Sequence, residues 1–329
     1  MNMTLTENKR LHMMRLSDEN GIISALAFDQ RGALRKLMKP YCTAEPSAYA
    51  MERIKTIVAK ELSPYASAML LDPEYGLNAA KALAADTGLL LAYEKTGYDT
   101  NSSDRLCDSL EGWSVMRLKE AGADAVKFLL YYDADGNPET NRKKQAYIER
   151  VGAECAAADI PFFLEILAYD EGGLDVSSRE YAKLKPRRVI EAMKTFSLPR
   201  FGIDVLKVEV PVNMNFVEGF SDAEPVYTQQ EARQWFLVQN AASSLPYIYL
   251  SAGVSAKLFR ETLLFAKDAG AQFSGVLCGR ATWADSVKPY MENGEQAAQA
   301  WLKDEGTANI KALNEVLAKT AVPWTEKIR

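Results

Sequence analysis

Residues 204–213 read DVLKVEVPVN. Val205, Lys207 and Glu209 alternate with Leu206, Val208 and Val210, and Pro211 closes the run. Alternation ordinarily marks a strand with one face in water. A face made of one valine, one lysine and one glutamate is short for that role. The lysine and the acid also stand two residues apart in an otherwise apolar strand. Whether water reaches this face depends on the sheet around it.

Seven other runs have the same character: IISALAFD (22–29), SAMLLD (67–72), LLLAYEK (89–95), AVKFLLYY (125–132), PFFLEIL (161–167), YIYLSAG (247–253) and FSGVLCG (273–279). Sequence with helical periodicity separates them. In residues 48–62 Met51, Ile54, Val58 and Leu62 share a helical face, and in 255–270 Phe259, Leu263, Ala266 and Gly270 do so. Nearly uninterrupted apolar strands, each followed by a helix, predict a parallel α/β sheet covered on both faces. Eight such units predict a (β/α)8 TIM barrel, with an extra N-terminal helix and C-terminal helices, the last near 307–319. The competing arrangement is an open doubly wound sheet. No GxGxxG follows the first strand, which removes support from its dinucleotide-binding form. No linker rich in Pro, Gly or Ser divides the chain, so residues 1–329 are expected to form a single domain.

In a closed barrel neither strand face meets water. Val205, Lys207 and Glu209 must then point into the barrel, toward the mouth at its C-terminal end. Lys127 inside AVKFLLYY, Glu165 inside PFFLEIL and Asp29 at the end of IISALAFD repeat the pattern. Burial disfavours a charged lysine, by roughly 3–5 pKa units at full burial, and two neighbouring interior lysines are expected to favour each other's neutral forms. A neutral amine can attack a carbonyl to form a Schiff base, and nearby carboxylates can carry the protons. The competing reading makes Lys207–Glu209 and Lys127–Glu165 structural ion pairs that plug the barrel. Ionisable groups gathered from strands 1, 4, 5 and 6 at a barrel mouth favour chemistry.

Strands 7 and 8 end in LSAGVSAKL (250–258) and LCGRATWADS (277–286). Gly253 and Gly279 allow close backbone approach, the following helices aim N–H groups outward, Ser251 adds a hydroxyl and Arg280 a fork of donors. Loops after strands 7 and 8 commonly hold phosphate in this fold, so a phosphorylated substrate is expected. Tyr131–Tyr132 and Tyr247–Tyr249 read as packing. Asp72 and Glu74 read as rim residues or helix caps, and Lys95 as an anion ligand or a solvated side chain.

Composition narrows the chemistry further. The chain is 48% hydrophobic with a net charge of −5 and no block of like charge, which argues against nucleic acid as a partner. His12 is the only histidine, so a zinc site built on two or three imidazoles is excluded within one chain, as is a catalytic pair using a strand-end histidine. A carboxylate-bound magnesium passes that filter. Cys42, Cys107, Cys155 and Cys278 are scattered and read as reduced thiols of a cytoplasmic protein. The opening MNMTLTENKR lacks the apolar core of a signal peptide, and no apolar run is long enough to span a bilayer, so no membrane partner is expected.

The segments ALAFDQRGAL, SPYASAMLLDPEYGL, LAYEKTGYD, GADAVKFLLYYD, IPFFLEIL, DVLKVEVPVN, YIYLSAGVSAKLF and GVLCGRATW resemble, in order, the class I tagatose 1,6-bisphosphate aldolase family, over nearly the whole chain. The resemblance implies a (β/α)8 barrel, no metal and no other cofactor. It implies cleavage of D-tagatose 1,6-bisphosphate to dihydroxyacetone phosphate and D-glyceraldehyde 3-phosphate in lactose and galactose breakdown. By motif, Lys207 resembles the imine-forming lysine and Glu165 the acid/base. Asp29 and Lys127 resemble the supporting pair, which orients substrate hydroxyls and favours the nucleophile's neutral amine. Ser251, Gly253, Gly279 and Arg280 are similar to the phosphate pocket on the ketone side, and Gln30 and Arg31 are candidates for the distal phosphate. DEGGLDVSSREYAKLKP (170–186) departs from the family pattern and bears on the rim. An aldolase for fructose 1,6-bisphosphate or a sulfo-sugar phosphate, and a sugar-phosphate-sensing barrel, are the alternative functions. The sequence leaves a homo-oligomer open, with Trp301 and Trp324 facing either the barrel or a second subunit.

Overall fold

The structure, a computed structural model, describes residues 4–95, 97 and 102–328, so the end of the LAYEKTGYD segment lies outside the described residues. The strands are β1 (Ile23–Ala27), β2 (Ala68–Leu71), β3 (Gly88–Ala92), β4 (Ala125–Tyr132), β5 (Phe162–Ala168), β6 (Val205–Val208), β7 (Tyr247–Tyr249) and β8 (Gly275–Cys278). All pair in parallel in chain order, and β8 returns to β1 to close the barrel. Helical segments follow every strand, from a short one after β2 (Leu77–Ala80) to long ones after β4 (Pro138–Ala157) and β5 (Arg179–Phe196).

The strand residues divide by parity into two cores. Leu26, Phe28, Val126, Phe128, Leu164, Leu206 and Val208 face the helix layer. There they meet the apolar stripe of Ala48–Leu62, whose Met51, Ile54, Val58 and Leu62 are fully buried and whose first turn is capped by the Ser47 hydroxyl. Tyr247 and Tyr249 pack in the same layer. The opposite parity, Ile23, Ala25, Ala27, Leu70, Leu90, Ala92, Ala125, Phe163, Val205, Ile248 and Leu277, fills the barrel interior.

The N-terminal end of the barrel is sealed. Met13 and Leu16, from and just after helix Glu7–Arg15, join Trp324 and Ile328 in the interior core, so Trp324 packs on the barrel. Lys9 pairs with Asp204 at 2.7 Å, and His12 and Arg15 both meet Asp124 at 3.0 Å, which fastens the helix beneath β4 and β6. Gly275 lets β8 close on β1: with φ +140°, a Cβ there would stand 2.0 Å from the Ile23 carbonyl oxygen.

β6 ends at Val208, two residues before the apolar run does. Beyond it the Glu209 side chain replaces the ladder, accepting the Ala168 N–H at 2.9 Å, while the Gln239 amide donates to the Glu209 carbonyl at 2.8 Å. β7 likewise stops at Tyr249, short of the glycine turn, because the chain there leaves the sheet to line the mouth. Among the described residues, no helix is long and apolar enough to cross a membrane.

Candidate active site

A cavity of about 550 Å³ opens at the C-terminal mouth, and Lys207 and Glu165 lie at its base. Strand register brings them together. Glu165 of β5 is directly opposite Lys207 of β6, both on interior parity, and Lys207 Nζ lies 2.8 Å from Glu165 Oε1. Lys127 stands one interior layer lower on β4, opposite Phe163, and is fully buried. Its ammonium extends upward to Glu165 Oε2 at 2.8 Å, Asp29 Oδ2 at 2.8 Å and Glu94 Oε1 at 2.7 Å. Sequence reasoning grouped Asp29, Lys127, Glu165 and Lys207, and the barrel brings these four side chains into one network. Glu209 does not pair with Lys207: its Oε1 lies 3.0 Å from Lys185 of helix Arg179–Phe196, also on the cavity wall.

Glu94 is the member that sequence reasoning missed. It follows β3 with the parity of the interior residues Leu90 and Ala92, and that parity was the available signal. Its Oε2 also accepts the Leu129 N–H at 3.1 Å, which fixes the carboxylate against β4. Lys95, read from the sequence as an anion ligand or a solvated side chain, is half-exposed and pairs with Asp108 and Glu111.

The electrostatics of the cluster depart from expectation at Lys127. Burial works against its charge, but Asp29, Glu165 and Glu94 around it outweigh burial and hold its pKa well above the usual lysine range. Lys127 is therefore held as a cation. The effect is returned to two of its partners. Burial would push Asp29 and Glu165 up, yet Lys127 and Lys207 bring both below the usual carboxylate value. Glu94 goes the other way, because burial prevails over Lys127 and Arg31 there and raises it. Asp29 Oδ1 is buried and has no hydrogen-bond donor in the protein.

The loops after β7 and β8 form the opposite wall. Ser251, Gly253, Gly279 and Arg280 all line the cavity, as does Gln30 after β1. Ala252 and Gly253 take positive φ values of 49° and 81°, and a Cβ on Gly253 would come within 3.0 Å of the Arg280 guanidinium. The turn thus needs glycine both for its backbone and for the arginine lying over it. Arg31 is turned away from the cavity: its guanidinium donates to Glu74 Oε2 at 2.6 Å and to the Glu94 carbonyl at 2.8 Å. Asp72 serves as a cap for the N–H groups of Glu74 and Tyr75 and pairs with the fully buried Lys55 at 2.7 Å. Tyr131, expected to be packing, also lines the cavity. Val176, Ser177 and Lys185 bring the divergent 170–186 segment to the rim. Among the described residues, no three His, Cys, Asp or Glu side chains are grouped to hold a metal ion.

The sequence matches the model of the DeoC/LacD family aldolases over residues 23–285. It is 66% identical over 326 residues to the tagatose 1,6-diphosphate aldolase of Lactococcus lactis subsp. lactis, covering 99% of this chain and 100% of that protein. A tagatose 1,6-diphosphate aldolase of Streptococcus pneumoniae is 64% identical over 326 residues, with the same coverage. Among solved structures, fructose-bisphosphate aldolase from Plasmodium falciparum superposes with a TM-score of 0.67 at 16% identity, covering 95% of this chain and 96% of that one. At that identity the likeness speaks to the fold alone.

Proposed function

Because the chain belongs to the DeoC/LacD aldolase family, we propose that it cleaves D-tagatose 1,6-bisphosphate to dihydroxyacetone phosphate and D-glyceraldehyde 3-phosphate through an imine on Lys207. The observation that carries this reading is the 2.8 Å contact between Lys207 Nζ and Glu165 Oε1 at the base of an open cavity, above a lysine locked in its charged form. Breaking a carbon–carbon bond beside a ketone leaves an electron pair that needs a sink, and a protonated imine is one.

In this scheme Lys207 gives a proton to Glu165, and the free amine adds to the C2 carbonyl. Glu165 returns the proton to the carbinolamine hydroxyl, water leaves, and a cationic imine remains. Asp29 takes the C4 hydroxyl proton, since its Oδ1 has no hydrogen-bond donor in the protein. The C3–C4 bond breaks, its electrons flow into the imine to give an enamine, and glyceraldehyde 3-phosphate leaves. The proton held by Asp29 then goes to the enamine carbon, and hydrolysis of the imine releases dihydroxyacetone phosphate and Lys207. Lys127 acts by positioning: its fixed charge keeps Asp29 and Glu165 ionised and ready to accept protons. Ser251, Gly253, Gly279 and Arg280 bind the phosphate on the ketone half, with Gln30 beside them. No metal enters the scheme.

The test is Lys207→Met. The variant is expected to keep its circular dichroism spectrum and melting behaviour while turnover of tagatose 1,6-bisphosphate falls to background. Wild-type activity in this variant would rule out Lys207 as the nucleophile.

A further inference from the structure

Among the described residues, the cavity wall carries two cations with no acid within ion-pair distance, Arg280 and Arg105; Lys207 is paired with Glu165 and Lys185 with Glu209. Arg280 belongs to the proposed ketone-side phosphate pocket. Arg105 lies across from it. It comes from the connection after β3 and stands over Tyr131 at the top of β4, whereas the glycine turns follow β7 and β8. In a closed ring of eight strands, β3 faces β7 and β4 faces β8. Lys207 on β6 and Glu165 on β5 sit between the two cations, where the reacting carbons of an extended bound chain would lie.

Arg105 is held in place. Its guanidinium carbon is 4.6 Å from the Tyr131 ring centroid and 5.1 Å from that of Tyr169. The Tyr169 hydroxyl lies 3.0 Å from the Ser103 carbonyl oxygen and 3.1 Å from that of Asp104, which fastens the loop just before Arg105. Lys144 donates to the same hydroxyl at 2.8 Å, so the ring is anchored from the helix layer. Arg105 itself takes a left-handed φ of 42°, a conformation that costs a non-glycine residue energy and recurs where a side chain must be aimed. A guanidinium stacked on aromatic faces keeps its in-plane donors free for a phosphate.

We propose that Arg105 binds the distal phosphate, the one that leaves on the aldehyde product, and so makes the enzyme selective for a phosphorylated aldehyde. This rests on the aldolase reading above. Of the two sequence-based candidates for that role, Arg31 is committed to Glu74 and Glu94, and Gln30 lies beside Gly279 on the ketone-side wall.

The experiment compares Arg105→Met and Arg105→Lys with wild type in two reactions. These are cleavage of tagatose 1,6-bisphosphate, and condensation of dihydroxyacetone phosphate with unphosphorylated D-glyceraldehyde. Losing charged hydrogen bonds to a phosphate predicts a fall of about 10- to 100-fold in kcat/KM for the bisphosphate with Arg105→Met, mainly through KM. Condensation with unphosphorylated glyceraldehyde should be unchanged, and Arg105→Lys should recover part of the loss. An equal fall in both reactions would make the role structural and overturn the proposal, as would an unaltered KM for the bisphosphate. Wild-type enzyme that neither cleaves the bisphosphate nor condenses the two trioses would instead overturn the aldolase reading, and the Arg105 assignment with it.

Discussion

The ammonium of Lys127 sits where Asp29, Glu94 and Glu165 converge, and its single charge sets the ionisation of the cluster. Removing it takes away the larger of the two lysine charges that oppose burial at Asp29 and Glu165. Lys127→Met leaves the three carboxylates with Lys207 as the remaining lysine among them, and breaking a buried ion pair from one side costs about 3–5 kcal/mol. Part of that loss depends on pH. In the wild type, Asp29 and Glu165 have folded pKa values below their unfolded ones, so their contribution is complete above the ordinary carboxylate range and is lost as acid brings the pH down through the folded values. Without Lys127, burial is opposed chiefly by Lys207, so the folded values of these groups are expected to rise past the unfolded ones and the sign to reverse: stability is then lost as pH rises. Urea unfolding at pH 5 and pH 8 should therefore show Lys127→Met more stable at the lower pH, whereas the wild type gains nothing from Asp29 and Glu165 on that change. An unchanged difference between the two proteins at both pH values would contradict the account of the cluster.

At the scale of the elements, the two walls of the mouth differ in kind. The β5–β6 wall is register-determined: Glu165 and Lys207 meet because they are partners in adjacent parallel strands. The β7–β8 wall depends on turn conformation, with Gly253 at φ +81° beneath Arg280. A Cβ at Gly253 strains the turn and displaces the guanidinium. Gly253→Ala should therefore raise KM for tagatose 1,6-bisphosphate by on the order of 10-fold or more, with kcat less affected and the barrel intact, as read from steady-state kinetics alongside a melting curve. An unchanged KM would remove the turn from the phosphate pocket. The same distinction explains what was legible in the sequence. Strand parity yields the interior placement of Lys127, Glu165 and Lys207, and the same parity extends two residues past Ala92 to Glu94. Arg105 was not legible, because its position depends on an irregular connection fastened by a tyrosine 64 residues further along the chain.

Over the whole molecule, the barrel separates stability from chemistry. The lower end is filled by Met13, Leu16, Trp324 and Ile328 and ringed by the Lys9–Asp204 and Arg15–Asp124 ion pairs and the His12–Asp124 contact, while the upper end keeps an open cavity over a charged base. The strand-helix alternation made this architecture readable, since eight apolar strands with no wet face have few other ways to be covered. What alternation could not supply was the charge of each lysine, because the two lysines on the strands flanking β5 look alike in sequence while three carboxylates surround only one of them. The central claim is that Lys207 forms an imine with the ketone half of the substrate. Borohydride reduction in the presence of dihydroxyacetone phosphate, followed by peptide mass mapping, tests it directly. The account predicts one reduced adduct on the peptide containing Lys207 and none in Lys207→Met. A folded wild-type protein that gives no adduct at saturating dihydroxyacetone phosphate, or an adduct on Lys127 instead, would contradict it.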